Sequence, residues 1–336
     1  MIEPDQHVVD RLTEFQRAVR DVIVQSRKQP PMHAVSRETS ADTIYEIDTA
    51  VEPLLEDFCR EWSKTTPLVL IAEGIENQSG IEGVKTFPEG LPEEKAEIRV
   101  LIDPIDGTRG IMYDKRAAWA LAGVAPNRGP ATRLSDIHLA VMTELPTSKM
   151  GFADVCWAIK GAGAHGARID LANGTSQQLK LGASKAAGLA HGFASISNFF
   201  PGTKVLAAQL MEEIATHLLG EADVTKALIF DDQYISTGGQ FYELLIGHDR
   251  FNADLRPLLY RINHKPPGLC CHPYDCATLL IAHEAGVILT NEHGHPLNGP
   301  LDVTTPLSWI GYANNTLRQQ IEPIIQSFAT RHNVRL

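Results

Sequence analysis

The 336 residues of the chain leave room for two domains at roughly 100–200 residues each, which excludes a peptide or a disulfide-stapled mini-scaffold. Apolar residues make up 43% and charged residues 21%, an ordinary globular balance far from that of disordered chains. Thirty basic residues against 41 acidic ones give a net charge of −11, which speaks against broad attraction to nucleic acid or anionic lipid, so an anionic substrate needs a local positive centre.

The five cysteines (Cys59, Cys156, Cys270, Cys271, Cys276) form no regular framework and suit a reducing compartment. Met1 to Asp5 carry neither the basic nor the apolar stretch of a signal peptide. The longest apolar window, 117–125, holds nine apolar or glycine residues, against about 20 in a membrane helix. A cytoplasmic protein is expected, with neither a membrane nor a nucleic-acid polymer as partner.

Val8, Val9, Leu12, Phe15, Val19 and Ile23 recur at helical spacing and predict an amphipathic helix over 6–27. A second stripe, Val51, Leu54, Leu55, Phe58 and Trp62, follows Thr49-Ala50-Val51-Glu52, which has the spacing of a capping box. Asp48 is then expected just before that helix, with Pro53 one position too deep and the first turn distorted. Two apolar runs end in acidic residues, 68–72 into Glu73 and 98–102 into Asp103, and both read as buried strands. The Gly/Glu/Pro-rich stretch between them, 74–97, reads as a surface loop. Further strands are expected over 117–125, 137–145, 152–160, 179–183 and 191–197, a run of β elements unlike a doubly wound parallel sheet. From about 200 the pattern alternates, with helices near 203–219, 238–246, 275–285 and 315–330 and strands at 251–255, 287–291 and 307–312. The proline-bearing 256–274 reads as another surface loop. The chain is divided between 188 and 189, into an N-terminal α+β domain, 1–188, and a C-terminal α/β domain, 189–336.

The most informative string is Asp103-Pro104-Ile105-Asp106-Gly107-Thr108. Two carboxylates three residues apart at a strand end, with Pro stiffening the backbone between them and Gly allowing a tight turn after them, suit a hard, oxygen-loving cation such as Mg²⁺ or Mn²⁺. Asp-x-x-Asp alone also occurs in turns and helix caps. Asp275 heads a helical stripe of Ala277, Leu280, Ile281 and Ala285, where a plain N-cap role is the simpler reading of the residue by itself.

With its neighbours, the string resembles the inositol monophosphatase family, which also holds bisphosphate nucleotidases and fructose bisphosphatases. Asp-Pro-Ile-Asp-Gly-Thr is intact at 103–108, and four further segments match in order: 44–52 around Asp48, Ala72-Glu73-Gly74, Lys160-Gly161-Ala162-Gly163-Ala164, and Pro273-Tyr274-Asp275 with Glu284-Ala285-Gly286. The match spans about 37–290. The resemblance implies an α-β-α-β-α sandwich and a Mg²⁺-dependent phosphomonoesterase binding two or three ions, with Mn²⁺ as a possible substitute. It implies that Glu73, Asp103 and the Ile105 carbonyl hold one ion and that Asp103, Asp106 and Asp275 hold a second. Asp48, Thr108 and Glu73 form the implied catalytic set, with Thr108 bonding the attacking water and Asp48 accepting from Thr108. Gly107, Thr108, Asp106, Arg109 and Arg256 are expected around the substrate, a small phosphorylated metabolite. A homodimer and lithium sensitivity are further expectations from the family.

Several signals carry less. Gly161 to Gly166 spell Gly-x-Gly-x-x-Gly, but residues 167–174 read as strand and turn rather than helix, so a dinucleotide role is rejected. Cys270, Cys271, His272 and Cys276 lack zinc spacing and read as buried thiols beside Asp275. His283, His293 and His295 read as surface or hydrogen-bonded histidines, and Glu89, Glu93 and Glu94 as a solvated run.

The chain also departs from the family. Arg109-Gly110-Ile111 replaces Thr-Asn-Phe after the motif, Gly74 replaces a second Glu, Arg37 a Lys, and Tyr274 a Trp. No acidic residue lies between Asp254 and Asp275, where the family keeps an inositol-recognising Glu. Arg109, Lys115, Arg116, Arg256, Arg261 and Lys265 are candidates to pair with a second anionic group on the substrate; solvated surface charge is the competing account. The alternative activities are a 3′(2′),5′-bisphosphate nucleotidase and a fructose-1,6-bisphosphatase, and the alternative outside enzymes is a regulatory metal- and phosphate-binding protein.

Overall fold

Leu12, Phe15, Val19 and Ile23 line the buried face of α1 (Asp5–Ser26) in the computed structural model, which describes residues 5–26, 35–38, 43–76, 82–221 and 225–334. Arg37 lies in β1 (Val35–Glu38), which pairs antiparallel with β2 (Thr43–Tyr45). A four-residue α2 (Glu46–Thr49) then precedes α3 (Glu52–Trp62). The capping box expected at Thr49 is not the start of α3: its N-cap is Val51, with no side-chain cap. Pro53 thereby falls within the first turn, where its missing N–H costs nothing, and Asp48 precedes the long helix as expected, within the short α2.

The chain continues through β3 (Leu68–Glu76), β4 (Glu82–Phe87), β5 (Ile98–Asp106), the short α4 (Thr108–Ile111), β6 (Ala118–Pro126), β7 (Leu139–Leu145), β8 (Phe152–Ile159), β9 (Ala164–Asp170) and β10 (Ser176–Gln178). These eight strands form one sheet in the order β10-β9-β8-β7-β6-β5-β3-β4, antiparallel throughout except where β3 runs parallel to β5. The remainder comprises β11 (Gly192–Ile196), α5 (Lys204–Leu219), β12 (Ile229–Phe230), α6 (Thr237–Leu245), β13 (Asp249–Asp254), α7 (Arg256–Ile262), α8 (Leu279–Glu284), β14 (Ile288–Thr290), β15 (Trp309–Tyr312) and α9 (Asn315–Arg331). Its five strands form a second, mixed sheet in the order β12-β11-β13-β15-β14.

Alternation along β3 shows how the layers stack. Leu68, Leu70 and Ala72 face a core shared with α1 and α3, whereas Val69 and Ile71 face one shared with α6 and α8. Strands covered on both faces read as continuous apolar runs, which is why β3, β5 and β6 were legible. The α6–α8 layer also packs on the second sheet, through Phe241, Leu244, Leu289 and Trp309, and α5 and α9 cover that sheet's outer face. The result is the expected α-β-α-β-α sandwich. The chain passes from one sheet to the other between Gln178 and Gly192, and the central core draws on both sides of that crossing. Among the described residues no helix is long and apolar enough to cross a membrane.

Four expected elements need correction. The stretch 74–97 is not simply a loop: β4 and a 3₁₀ turn at Glu93–Lys95 lie in it, and Glu93, still partly solvent-exposed, pairs with the buried Arg99 at 2.6 Å. The stretch 256–274 opens with α7, whose Leu258, Leu259 and Ile262 are buried. The strand expected at 179–183 is irregular chain that follows β10, and the helix expected over 275–285 is a 3₁₀ turn, Tyr274–Cys276, followed by α8.

Candidate active site

Strand register brings the first two acidic residues together. β3 and β5 run parallel with Ala72 opposite Ile102, so Glu73 and Asp103 follow at the same level. In a regular strand Asp103 and Asp106 would point to opposite faces, because side chains alternate. Here the ladder to β6 slips: Asp103 pairs with Leu121 and Asp106 with Trp119, three steps on one strand against two on the other. This bulge at Pro104-Ile105 turns both carboxylates to one side. Gly107, at φ 98°, then makes a left-handed turn that suits glycine and caps α4.

The third carboxylate comes from the other half of the chain. Asp275 sits inside its 3₁₀ turn rather than at a plain N-cap, and that turn lies close against β6 because Gly123 has no side chain. A Cβ at Gly123 would stand 2.5 Å from the Ala277 carbonyl oxygen. Carboxylate oxygens of Asp103, Asp106 and Asp275 all lie within 4.8 Å of one another, and Glu73 lines the same cleft outside that group.

Each carboxylate is held by donors. Asp103 accepts from the Ile105 N–H (3.0 Å) and Asp275 from the His272 N–H (2.6 Å). Asp106 accepts from the Ser236 hydroxyl (2.8 Å) and from the Gly238 (2.6 Å) and Thr237 (3.3 Å) amides at the start of α6. Among the described residues no Lys or Arg lies within 4.0 Å of any of the three, and His272 Nδ1 stands 4.0 Å from Asp275. Burial, and then their mutual repulsion, push Asp103 and Asp275 well above the usual carboxylate range. Asp106 is pushed up to about 6 by burial despite its three hydrogen bonds.

Thr108 stands at the rim. Its hydroxyl lies 3.0 Å from Asp48 Oδ1 and 2.8 Å from the Ile105 carbonyl, two acceptors for one proton. The Asp48–Thr108 pairing expected from the resemblance is therefore present as geometry.

Of the six basic candidates, Arg109 and Arg256 line the cleft. Arg256 is buried, its guanidinium bonded to both oxygens of Asp254 and to the Leu269 carbonyl (3.0 Å), with Phe199 and Phe200 against it at 4.8 and 5.3 Å. The guanidinium that lines the cleft is thus one already ion-paired within the protein. Arg109 lies 5.2 Å over Phe200. Arg116 is tied to Asp232 and Glu243, and Arg261 to Glu292 at 2.9 Å.

Sequence reasoning missed Ser236, Thr237 and Gly238, which hold Asp106, and the Phe199–Phe200 wall; the Ser-Thr-Gly-Gly string marks the N-cap of α6 at Ser236 but not its bond to Asp106. Cys270, Cys271 and Cys276 are buried and free, as expected, with the last two sulfurs 3.5 Å apart. The one group of potential metal ligands among the described residues is the carboxylate cluster, so neither the cysteines nor His283, His293 and His295 form another.

The five-layered sandwich is a fold shared with solved structures of inositol monophosphatase and fructose-1,6-bisphosphatase type. Three solved structures illustrate it: a Pyrococcus horikoshii protein described as similar to inositol-1 monophosphatase (15% identity, 95% of this chain and 98% of that one, TM-score 0.64), the Leishmania major fructose-1,6-bisphosphatase (13%, 98% and 96%, 0.68), and the Thermotoga maritima inositol monophosphatase (17%, 96% and 99%, 0.60). No family model matches the sequence, and no curated protein does.

Proposed function

We propose that the chain is a Mg²⁺-dependent phosphomonoesterase of the inositol monophosphatase family, acting on a small phosphorylated metabolite. The observation that carries this reading is the trio Asp103, Asp106 and Asp275, the first two buried and the third half-buried, crowded within 4.8 Å with no Lys or Arg in contact among the described residues. Crowded, desolvated carboxylates call for a cation, and an all-oxygen donor set fits a hard one, Mg²⁺ with Mn²⁺ as a substitute. Glu73, Asp103, Asp106, Asp275 and the Ile105 carbonyl would hold it; that carbonyl can accept from Thr108 and still offer its second lone pair. Bound Mg²⁺ would polarise the phosphate and lower the pKa of water.

The protein's own groups do the orienting. With its proton directed to Asp48 or Ile105, Thr108 presents a lone pair and can accept from the attacking water. Asp48 then fixes the hydroxyl rather than replacing the cation's role. The amides of Gly107 and Thr108, where α4 begins, would receive phosphate oxygens, supplying the positive centre that a net charge of −11 lacks. Cys270 also lines the cleft, but burial pushes its thiol up to about 12, so it is no nucleophile at neutral pH. Direct transfer of the phosphoryl group to water is the consistent route: the P–O ester bond breaks as the water oxygen bonds to phosphorus, and the leaving alkoxide takes up a proton.

On the substrate, the absent Glu before Asp275 speaks against inositol, and Arg109 at the cleft favours a second anionic group, as in a sugar or nucleoside bisphosphate. A homodimer remains the arrangement the family suggests. Phosphate release over inositol phosphates, sugar mono- and bisphosphates and phosphoadenosine nucleotides, with and without Mg²⁺, tests the reading. Mg²⁺-dependent release is expected, with a bisphosphate the best substrate. Mg²⁺ binding without release from any of these would favour the regulatory binding protein instead.

A further inference from the structure

Asp106 is oriented by a turn held largely by side chains, Gln233 among them, which bonds the Ile196 carbonyl (3.0 Å) and accepts from the Asn198 N–H (2.6 Å). The segment 232–236 closes through two successive three-residue bonds, Tyr234 N–H to the Asp232 carbonyl (3.0 Å) and Ser236 N–H to the Tyr234 carbonyl (2.9 Å). Such turns hold a chain loosely, so the placement of the Ser236, Thr237 and Gly238 donors needs outside support. Tyr234 supplies it from one side: its buried hydroxyl donates to the Ala117 carbonyl (2.9 Å) and accepts from Trp119 Nε1 (2.9 Å). Arg116 supplies it from the other, with its guanidinium 3.7 Å above the Tyr234 ring and bonded to Asp232 and Glu243. Trp119 is also the strand partner of Asp106. The contacts thus close a ring: Asp106 to Trp119 across the sheet, Trp119 to Tyr234, Tyr234 along the chain to Ser236, and Ser236 back to Asp106.

From this ring we propose that Tyr234 and Arg116 are positioning residues for Asp106, fixing the donors that keep its carboxylate aimed at the Mg²⁺ site. The proposal rests on Asp106 being a Mg²⁺ ligand, as in the function proposed above. Neither residue lines the cleft. They act through the Ser236 hydroxyl and the α6 amides, in the way that outer hydrogen-bond partners orient metal ligands.

Calorimetric titration with Mg²⁺ alone, on the full chain, tests this. Tyr234→Phe keeps the ring beneath Arg116 and deletes the hydroxyl; it is expected to weaken Mg²⁺ binding about tenfold. The Mg²⁺ needed for half-maximal phosphate release should rise in step, while the substrate KM at saturating Mg²⁺ stays put. Arg116→Met should act in the same direction and Arg116→Lys should restore part of the loss. A purely structural role would lower the melting temperature equally with and without Mg²⁺; the expectation is that the gain conferred by Mg²⁺ shrinks. Native Mg²⁺ affinity in both Tyr234→Phe and Arg116→Met overturns the proposal. Should Tyr234→Phe fail to fold, Arg116→Met alone decides, and native Mg²⁺ affinity there overturns the proposal equally. If the native chain binds Mg²⁺ but releases no phosphate, the phosphatase reading fails and the calorimetric comparison still decides the positioning role.

Discussion

Asp254 and Asp106 are 1% and 5% exposed, Asp106 lining the cleft and Asp254 pairing with Arg256, which also lines it, yet their surroundings are opposite. Asp254 is locked to Arg256 by a forked ion pair that is itself packed against Phe199 and Phe200. Asp106 faces two more carboxylates and accepts from a hydroxyl and two amides. One region has its charges balanced at folding and serves as wall. The other leaves negative charge crowded and desolvated, which folding alone does not favour, and so reserves a place for a cation. Burial of an acid says little by itself; what separates the two is whether the chain provides its counter-charge.

That contrast should break most sharply on removing one carboxylate from each region. Asp103→Asn is expected to lower phosphate release by roughly 10³-fold or more, since several kcal/mol of charge stabilisation at the transition state depend on the cation it would hold. The same variant should be more stable than the native chain without Mg²⁺, because repulsion is relieved; urea unfolding at pH 8 in chelator reads this, and a loss of stability there would sink the contrast. Asp254→Ala should do the reverse, destabilising by about 3–5 kcal/mol because Arg256 is left buried and uncompensated. Unfolding in the presence and absence of Mg²⁺ should give the same loss.

A smaller effect separates the regions by pH. Asp106 is held at about 6, and Asp103 and Asp275 are also raised, so the folded metal-free chain binds protons more tightly than the unfolded one. Their contribution is therefore fully present below the ordinary carboxylate pKa near 4 and is lost as pH rises through about 6 and beyond. Glu144 and Asp249, each pushed up to about 7 by burial away from the cleft, slope the same way. Saturating Mg²⁺ should flatten the first part, by holding the cleft carboxylates ionised, and leave the second. Melting curves across this range, with and without Mg²⁺, check it; an identical slope in both series would refute the assignment. The smallest expected change is in Arg109→Ala, which should raise KM for bisphosphates relative to monophosphates by around tenfold, the worth of one charge-assisted hydrogen bond. Equal KM shifts for both classes would remove Arg109 from substrate recognition.

The parts of this site that the sequence made legible are those carried by side chains at the ends of apolar runs. Glu73 and Asp103 directly follow apolar runs whose burial on both faces leaves an unbroken pattern, although their strands continue to Glu76 and Asp106, and the Pro-Ile pair before Asp106 is a local signal of a turned strand. The donors to Asp106 were illegible because two of the three are backbone amides, which any residue supplies, and because the serine among them lies 130 residues away. From the sequence Arg256 is expected at the substrate because it is a basic residue near the site, and it does line the cleft. Its partner, Asp254, is two residues off, and only the packing of α7 after β13 shows that the pair closes on itself. The same helix was hidden by prolines at 257, 266 and 267, and β4 by its Glu, Gly and Lys content, both poor strand or helix signals.

Gly123 gives the cleft a vulnerability far from its chemistry. It binds nothing and sits mid-strand, but it is the clearance that lets the Asp275 turn rest against β6; a Cβ there would overlap the Ala277 carbonyl oxygen and lie 2.9 Å from Ile137 Cδ1. An alanine at this position would act as a shim, lifting one carboxylate of three away from the others by a fraction of an ångström, while every ligand stays in the chain. The spacing of the acidic cluster is thus gauged by a missing methyl group, and a lesion in cation binding can arise where no charged residue has changed.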